Sequence, residues 1–239
     1  MSSRTASLIV GVACLLTVAL FAVPAYAAAG IARQQLLVVV LANHNVRDKP
    51  NGRTVWGLKA RRPITGARTV LPVLKRVLER SGSFWLEVRL PGRATGGATP
   101  PATGWISASR TDLEATPWHI VVDLAARELM VYNDGKLIRR FAAVVGKPST
   151  PTPTGQYFVE EDVTLSKGQP GGPFALATSD RSHVFQSFDG GPGQIAIHGL
   201  ENLGGKPGTA ASHGCIRLAN GNIAWLAARV GAGTPITIS

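Results

Sequence analysis

Apolar and polar positions alternate with a period of two over much of this chain, the spacing of strands whose successive side chains face opposite ways. Residues 36–41 (LLVVVL) form a β-branched apolar run, and residues 84–90 (FWLEVRL) alternate, so both predict strands. Asn51-Gly52 supplies turn chemistry between them, residues 91–104 read as a loop rich in Gly, Pro, Ala and Thr, and Gly104-Trp105-Ile106 restarts a short strand. Residues 73–80 (VLKRVLER) fit two elements: Val73, Leu74, Val77 and Leu78 have helical spacing, and a strand entering the Ser81-Gly82-Ser83 turn fits equally. Residues 118–123 and 128–132 predict two more strands, and Asn133-Asp134-Gly135 is a hairpin turn before a third at 137–145. Gly/Pro loops follow at 151–155, 168–173, 190–193 and 204–208, with a buried strand at 195–197 that ends on His198. Ile223, Leu226, Ala227 and Val230 share one face of a short helix, with Asn220 or Asn222 as its cap, Gly231 as its stop and Trp225 as a packing residue. Residues 234–238 close the chain as a strand. The expected fold class is mainly β, a sandwich or barrel with one short C-terminal helix.

Composition changes this picture at the N-terminus. Residues 8–23 carry no charge, Arg4 precedes them, and Ala25 and Ala27 make a small-x-small exit, so residues 1–27 are expected to be a secretory signal peptide. The alternative is an uncleaved anchor, the one case in which a membrane enters. On either reading the remainder is exported, to the cell wall or the outer side of the membrane. Cleavage would remove Cys14 and leave Cys215 as the one thiol of the mature chain.

Charge divides the rest. The 239 residues hold 25 Lys+Arg against 14 Asp+Glu, a net charge of +11. Residues 28–116 carry fourteen cations against five acids, whereas residues 117–239 carry ten against nine. The expectation is a basic β domain over 28–116, closing in a joint at 111–117, and a nearly neutral domain over 117–239. A partner for the basic half is sought among anionic cell-wall polymers, with no nucleic acid expected. This division of labour predicts that removing 28–116 spares the chemistry of the second half.

That chemistry gathers around Cys215. Ser212-His213-Gly214-Cys215-Ile216-Arg217 places one histidine two residues before the thiol, and His198 stands seventeen before it. A free cysteine, with a pKa of about 8.5, is only a few per cent thiolate at neutral pH, so a nucleophilic sulfur needs an imidazole within hydrogen-bond reach. His198, delivered from its own strand, is the better placed base, with His213 in support. Gly214 permits an unusual turn in which the amides of Gly214 and Cys215 face a developing oxyanion. Arg217 offers a planar fork to a substrate carboxylate, and Ser212 a hydroxyl to hold the loop or a histidine. No metal or cofactor is expected: a zinc site of His198, His213 and Cys215 lacks a fourth ligand at metal-like spacing. His44, His119 and His183 have no motif partners and read as surface or locally satisfied groups.

His198-Gly199 followed by Ser212-His213-Gly214-Cys215-Ile216-Arg217-Leu218 resembles the signature of the L,D-transpeptidase catalytic domain, the YkuD-type family, and Pro151-Thr152-Pro153-Thr154-Gly155 resembles that family's sequence before its first long hairpin. The resemblance covers residues 117–239. It implies an L,D-transpeptidase-type β-sandwich with Cys215 as nucleophile, His198 as its partner, and Ser212, His213 and Gly214 completing the site. The thirteen residues between His198 and Ser212 are few for the family, and Arg217 stands where many members have Asn. The first half, with its V-R-x-x-P turn and late Gly-Trp-Ile, resembles the small SH3-like β-barrels found beside cell-wall enzymes.

The activity implied is cross-linking of peptidoglycan stem peptides, donor and acceptor, through a Cys215 thioester with release of D-Ala. A carbapenem is then expected to acylate Cys215. An L,D-carboxypeptidase on the same fold differs only in using water as acceptor, and a non-catalytic secreted wall-binding protein is the alternative from another class. Sortases and NlpC-type peptidases fit less well: the first spread His, Cys and Arg farther apart, and the second place Cys before His.

Overall fold

The computed structural model describes residues 30–92, 100–182, 184, 187, 188 and 191–239. The expected signal segment with Cys14, His183, and residues 93–99 of the Gly/Pro loop lie outside the described residues.

The apolar run near the N-terminus is strand β1 (Gln35–Val40), followed by β2 (His44–Arg47), β3 (Thr54–Leu58), β4 (Val70–Leu78), β5 (Phe84–Arg89), β6 (Thr103–Ser107) and β7 (Thr111–Thr116). They form one sheet in the order β3-β2-β6-β5-β4-β1-β7. The ambiguous stretch is strand β4. Pairing of Val70 to Pro72 with β1 and of Val73 to Leu78 with β5 makes it one continuous strand. A register shift between Val73 and Lys75 then turns the strand, so Leu71 and Val73 are buried while Leu74, Val77 and Leu78 are exposed. The expected joint is also a strand. β7 pairs with β1 along its whole length, from Gln35↔Thr116 to Val40↔Thr111, so Pro117 alone separates the two sheets.

The second sheet begins with β8 (Trp118–Asp123), β9 (Glu128–Asn133) and β10 (Lys136–Ala142), the meander turning at Asp134-Gly135. β11 (Val145–Gly146), β12 (Gly155–Thr164), β13 (Phe174–Arg181), β14 (Ser187–Phe188), β15 (Gly191–Pro192), β16 (Gln194–His198), β17 (Ala210–Ser212) and β18 (Ile216–Arg217) follow, then helix α1 (Asn220–Ala227) and β19 (Pro235–Ile238). Eight strands run in the order β10-β9-β8-β19-β12-β13-β16-β18. β12 serves both arms: Gly155 to Phe158 pair with β19, and from Val159 onward it pairs with β13, with a register shift between Val159 and Glu161. That irregularity folds the sheet over. Ile120, Val122 and Leu129 of one arm and Leu176, Ile195 and Ile197 of the other meet in a single core, which α1 closes with Ile223 and Leu226.

The helix departs from expectation at both ends. Its N-cap is Ala219, with no side-chain cap, because Asn220 Oδ1 instead accepts the Leu200 amide at 2.9 Å. It stops at Ala227, one turn before Gly231. Trp225 packs edge-on against Phe141 and beneath the guanidinium groups of Arg139 and Arg229, as a packing residue should.

The two sheets are joined by more than the chain. Phe158 of β12, 1% exposed, belongs to the core of the first sheet with Val40, Leu71 and Ile106. Its neighbour Glu160 receives Arg62 Nη2 and the Gly92 amide, while Glu161 accepts the amides of Ile64 and Thr65 and the Thr65 hydroxyl at 2.8–3.2 Å. An aromatic plug and two buried carboxylates on one irregular strand therefore fasten the basic half to the neutral half.

Candidate active site

β16 and β18 run parallel with Ile197 opposite Ile216 and His198 opposite Arg217. Ile197 and Ile216 are fully buried in the core. Side chains alternate along a strand, so Ala196, His198, Cys215 and Arg217 share the other face. Cys215 lies one residue before β18, diagonal to His198 at a Cα offset of about 8 Å from strand spacing and rise. All three groups line one cavity of about 650 Å³, whose walls include Leu165, Gln169, Pro170, Ile195 and Leu203. His213, exposed at the rim, lines it too, with Nε2 3.4 Å from Lys147 Nζ.

The turn that presents the thiol is held from inside. Ser212 is fully buried; its Oγ donates to Cys215 O at 2.6 Å and accepts from Gly214 N at 3.1 Å. Gly214 has φ +121°, and a Cβ there would press on Ile195 Cδ1 at 2.9 Å. The Gly214 amide is taken by Ser212, so it is not free to meet an oxyanion, as the sequence had suggested. A second layer holds the first. Thr152 Oγ1 donates to Gly214 O at 2.7 Å and accepts Gly146 N at 3.0 Å, while Thr150 Oγ1 and Lys147 N donate to Ser212 O at 3.2 and 3.0 Å. The parallel pairing of β11 with β17 runs through the same spot.

His198 is equally constrained. Its ring packs on Gly171, where a Cβ would come within 2.8 Å of Nδ1. Nδ1 lies 2.8 Å from Gly199 O; a carbonyl only accepts, so Nδ1 carries the hydrogen and Nε2 is left as the acceptor. Burial, aided by the Arg217 charge, pushes the imidazole pKa down against the pull of the Gly199 carbonyl. Burial likewise pushes the Cys215 thiol up, opposed by the Ala196 backbone and by Arg217 and assisted by the Asp180 charge. Both shifts favour the uncharged forms, thiol and imidazole, over a thiolate–imidazolium pair. Arg217 is tied to the 204 loop by Nη1 donating to Gly204 O at 2.7 Å, and its Nε has no partner among the described residues.

Asp180 is a residue that sequence reasoning missed. It sits 1% exposed on β13, and burial raises its carboxyl to about 7 despite the Arg181 amide and charge and the Tyr157 hydroxyl. Tyr157 is raised in turn, by burial first and then by Asp180. An isolated acid at the end of an alternating strand carries no signal of such a role. Thr152 did have one, the Pro151-Thr152-Pro153-Thr154-Gly155 run, but its contact, like that of Thr150 beside it, is to a turn about sixty residues away. Of the other histidines, His119 bonds Thr237 Oγ1 at 2.8 Å, and His44 Nε2 has no partner among the described residues.

This electrostatic arrangement has a measurable consequence. Alkylation of Cys215 by iodoacetamide should rise with pH through the alkaline range; a thiolate–imidazolium pair would instead give a plateau from about pH 5. Asp180 is ionised above about pH 7, where its charge holds the thiol pKa up. Asp180→Asn should therefore alkylate a few-fold faster than the native protein above that pH and match it below. Parallel profiles with no pH-dependent divergence would contradict this.

Residues 117–238 match the family described as the YkuD L,D-transpeptidase catalytic domain. Over 123 residues the chain is 32% identical to "Putative L,D-transpeptidase YkuD" of Bacillus subtilis, a match that takes in 52% of this chain and 66% of that protein. The protein of the same name in Bacillus licheniformis is 31% identical over 126 residues, 53% of this chain and 68% of that one. The chain thus spans about two thirds of the length of these curated relatives. Among solved structures, an L,D-transpeptidase from Mycobacterium smegmatis aligns with a TM-score of 0.40 at 20% identity, over 66% of this chain and 90% of that one.

Proposed function

Because this chain belongs, over residues 117–238, to the L,D-transpeptidase catalytic-domain family, we propose that it transfers acyl groups between peptidoglycan stem peptides through a thioester on Cys215. The observation that carries the reading is the shared face of β16 and β18, which gives one cavity a thiol, an imidazole whose Nδ1 hydrogen is held by Gly199 O, and a guanidinium.

From that starting point His198 is a general base rather than half of a standing ion pair. As Sγ bonds to the donor carbonyl carbon, at the residue before the terminal D-Ala of a tetrapeptide, Nε2 takes the thiol proton. The tetrahedral oxygen collects negative charge, which the Cys215 amide stabilises by donating to it. When the C–N bond breaks, the same proton passes to the departing D-Ala nitrogen, leaving a neutral imidazole and a thioester. A side-chain amine from a second stem then attacks the thioester carbonyl, gives its proton to Nε2, and the C–S bond breaks with return of that proton to sulfur. Arg217 holds a donor carboxylate. The lowered pKa of His198 keeps the base unprotonated into the mildly acidic range, so the acid limb of the rate profile falls below pH 6.5.

Amine and water compete for the thioester. Leu165, Pro170, Ile195 and Leu203 make the cavity wall apolar, which favours the amine by keeping water away. Incubation of the protein with a disaccharide-tetrapeptide is the test. Dimer and free D-Ala are expected; tripeptide without dimer would assign an L,D-carboxypeptidase, and unchanged tetrapeptide would remove the enzymatic reading. The likeness of the first half to SH3-like modules, and export by residues 1–27, are part of the same proposal: a wall-seeking protein that works outside the cytoplasm.

A further inference from the structure

Outside the matched catalytic region, the first sheet carries an open depression of about 640 Å³ where the β1–β2 connection meets the ends of β3, β4 and β7. Four cations line it, Lys59, Arg61, Arg68 and Arg110, and no carboxylate does. All four are exposed, and none joins an ion pair among the described residues, whereas Asp48 and Glu87 of the same half pair with Arg53 and Lys75. Arg61 and Arg68 stand opposite each other in an antiparallel bridge, a cross-strand placement of like charges that costs stability unless an anion lies between them.

The arginines are also pre-set. Arg68 Nη1 donates to Leu41 O at 2.9 Å and Arg61 Nη1 to Gly66 O at 2.7 Å, so each guanidinium is anchored by one of its five N–H groups. Arg110 has φ +56°, a left-handed conformation glycine would take without strain, yet a cation occupies it at the depression's edge. Anchored forks at opposite positions of a bridge, with no carboxylate beside them, match oxyanions spaced along a chain, and guanidinium geometry suits phosphate in particular.

We propose that this depression is a binding site for a flexible phosphodiester polymer, its phosphates engaged by Lys59, Arg61, Arg68 and Arg110. A soluble chain is favoured over a lipid surface because the cations line a concavity, which a polymer enters and a flat array of headgroups does not. The site goes beyond the acyl-transfer reading and is read out by binding alone, so neither result depends on the other.

The test is titration of the full protein with poly(glycerol phosphate) between about 50 and 200 mM NaCl. Three proteins are compared: native; a site variant, Lys59→Gln/Arg61→Gln/Arg68→Gln with Arg110→Gly to suit its backbone; and a control of equal charge loss, Arg33→Gln/Lys49→Gln/Arg76→Gln/Arg80→Gln. With about 0.7 of a counterion released per phosphate on a flexible strand, four lost contacts should flatten the slope of log K against log salt by about 3. The site variant is expected to bind at least about tenfold more weakly at 0.1 M salt, and the control within about threefold of native. Lys59→Gln/Arg61→Gln alone changes two exposed side chains and should lose about half the slope, which keeps the test open if the larger variant misfolds. Equal losses in site and control variants, no binding by the native protein, or binding only to phosphatidylglycerol vesicles would overturn the proposal.

Discussion

Cys215→Ala is expected to abolish release of D-Ala from a tetrapeptide donor, a loss on the order of 10⁶-fold when the nucleophile of a concerted unit is removed. The substitution deletes one sulfur from a residue that lines the cavity, leaving the Ser212 hydroxyl its bonds to the backbone of residues 214 and 215. The fold should therefore persist with an unchanged melting curve. His198→Ala should cost less, about 10²–10⁴-fold, because it takes away proton transfer while the sulfur and the cavity stay. The two act on one step, so the double variant should be no slower than Cys215→Ala alone. Product analysis of the three proteins against the native one checks this. Appreciable D-Ala release by Cys215→Ala would move the chemistry elsewhere.

The second large effect is on stability. Arg62 is 6% exposed and its guanidinium reaches the buried Glu160. Removing one partner of a buried pair leaves the other charged and unsolvated, which costs about 3–5 kcal/mol. Arg62→Met should lower the melting temperature by on the order of 10 °C for a chain of this size. Both carboxylates keep backbone donors, Gly92 for Glu160 and Ile64 and Thr65 for Glu161, but lose the one guanidinium that sits between them. Pairing Arg62→Met with Glu160→Leu, which replaces both charges by apolar groups of similar size, should restore most of it. Thermal melts of the single and double variants are the measurement, and a shift of only a degree or two for Arg62→Met would contradict it.

The same contacts revise how the two halves relate. Charge suggested a detachable basic half whose loss would spare the thiol chemistry. Removing residues 28–116 would instead uncover Phe158, whose burial is worth about 1.5–3 kcal/mol, and strip Glu160 and Glu161 of Arg62, Gly92 and Thr65. β12 then loses the support that holds its irregular turn, and β13 and β16 are built directly on it.

What could be read in the sequence follows the distance over which it is encoded. Ser212 to Arg217 are contiguous, and a strand ending at His198 is a local pattern, so the cysteine, both histidines and the arginine could be named before any contact was known. Asp180 and Thr150 act through pairings of distant strands, and nothing near them in the chain announces it; the Pro-Thr-Pro-Thr-Gly run marks Thr152 without naming its partner. The Arg62–Glu160 contact joins residues 98 positions apart. Residues 73–78 became strand through pairing with β5, and Asn220 is the first helical residue rather than the cap, its side-chain oxygen turned to the Leu200 amide. Local chemistry was legible; the partners that tertiary pairing brings to it were not.

The central claim is that the sulfur of Cys215 carries the donor peptide covalently. Rapid acid quench of the native protein with tetrapeptide donor, followed by proteolysis and tandem mass spectrometry, tests it directly. The expected result is an adduct on the Cys215 peptide equal to the donor less D-Ala, slow to form in His198→Ala and missing from Cys215→Ala. Turnover with no adduct on Cys215, or an adduct on another residue, would contradict it.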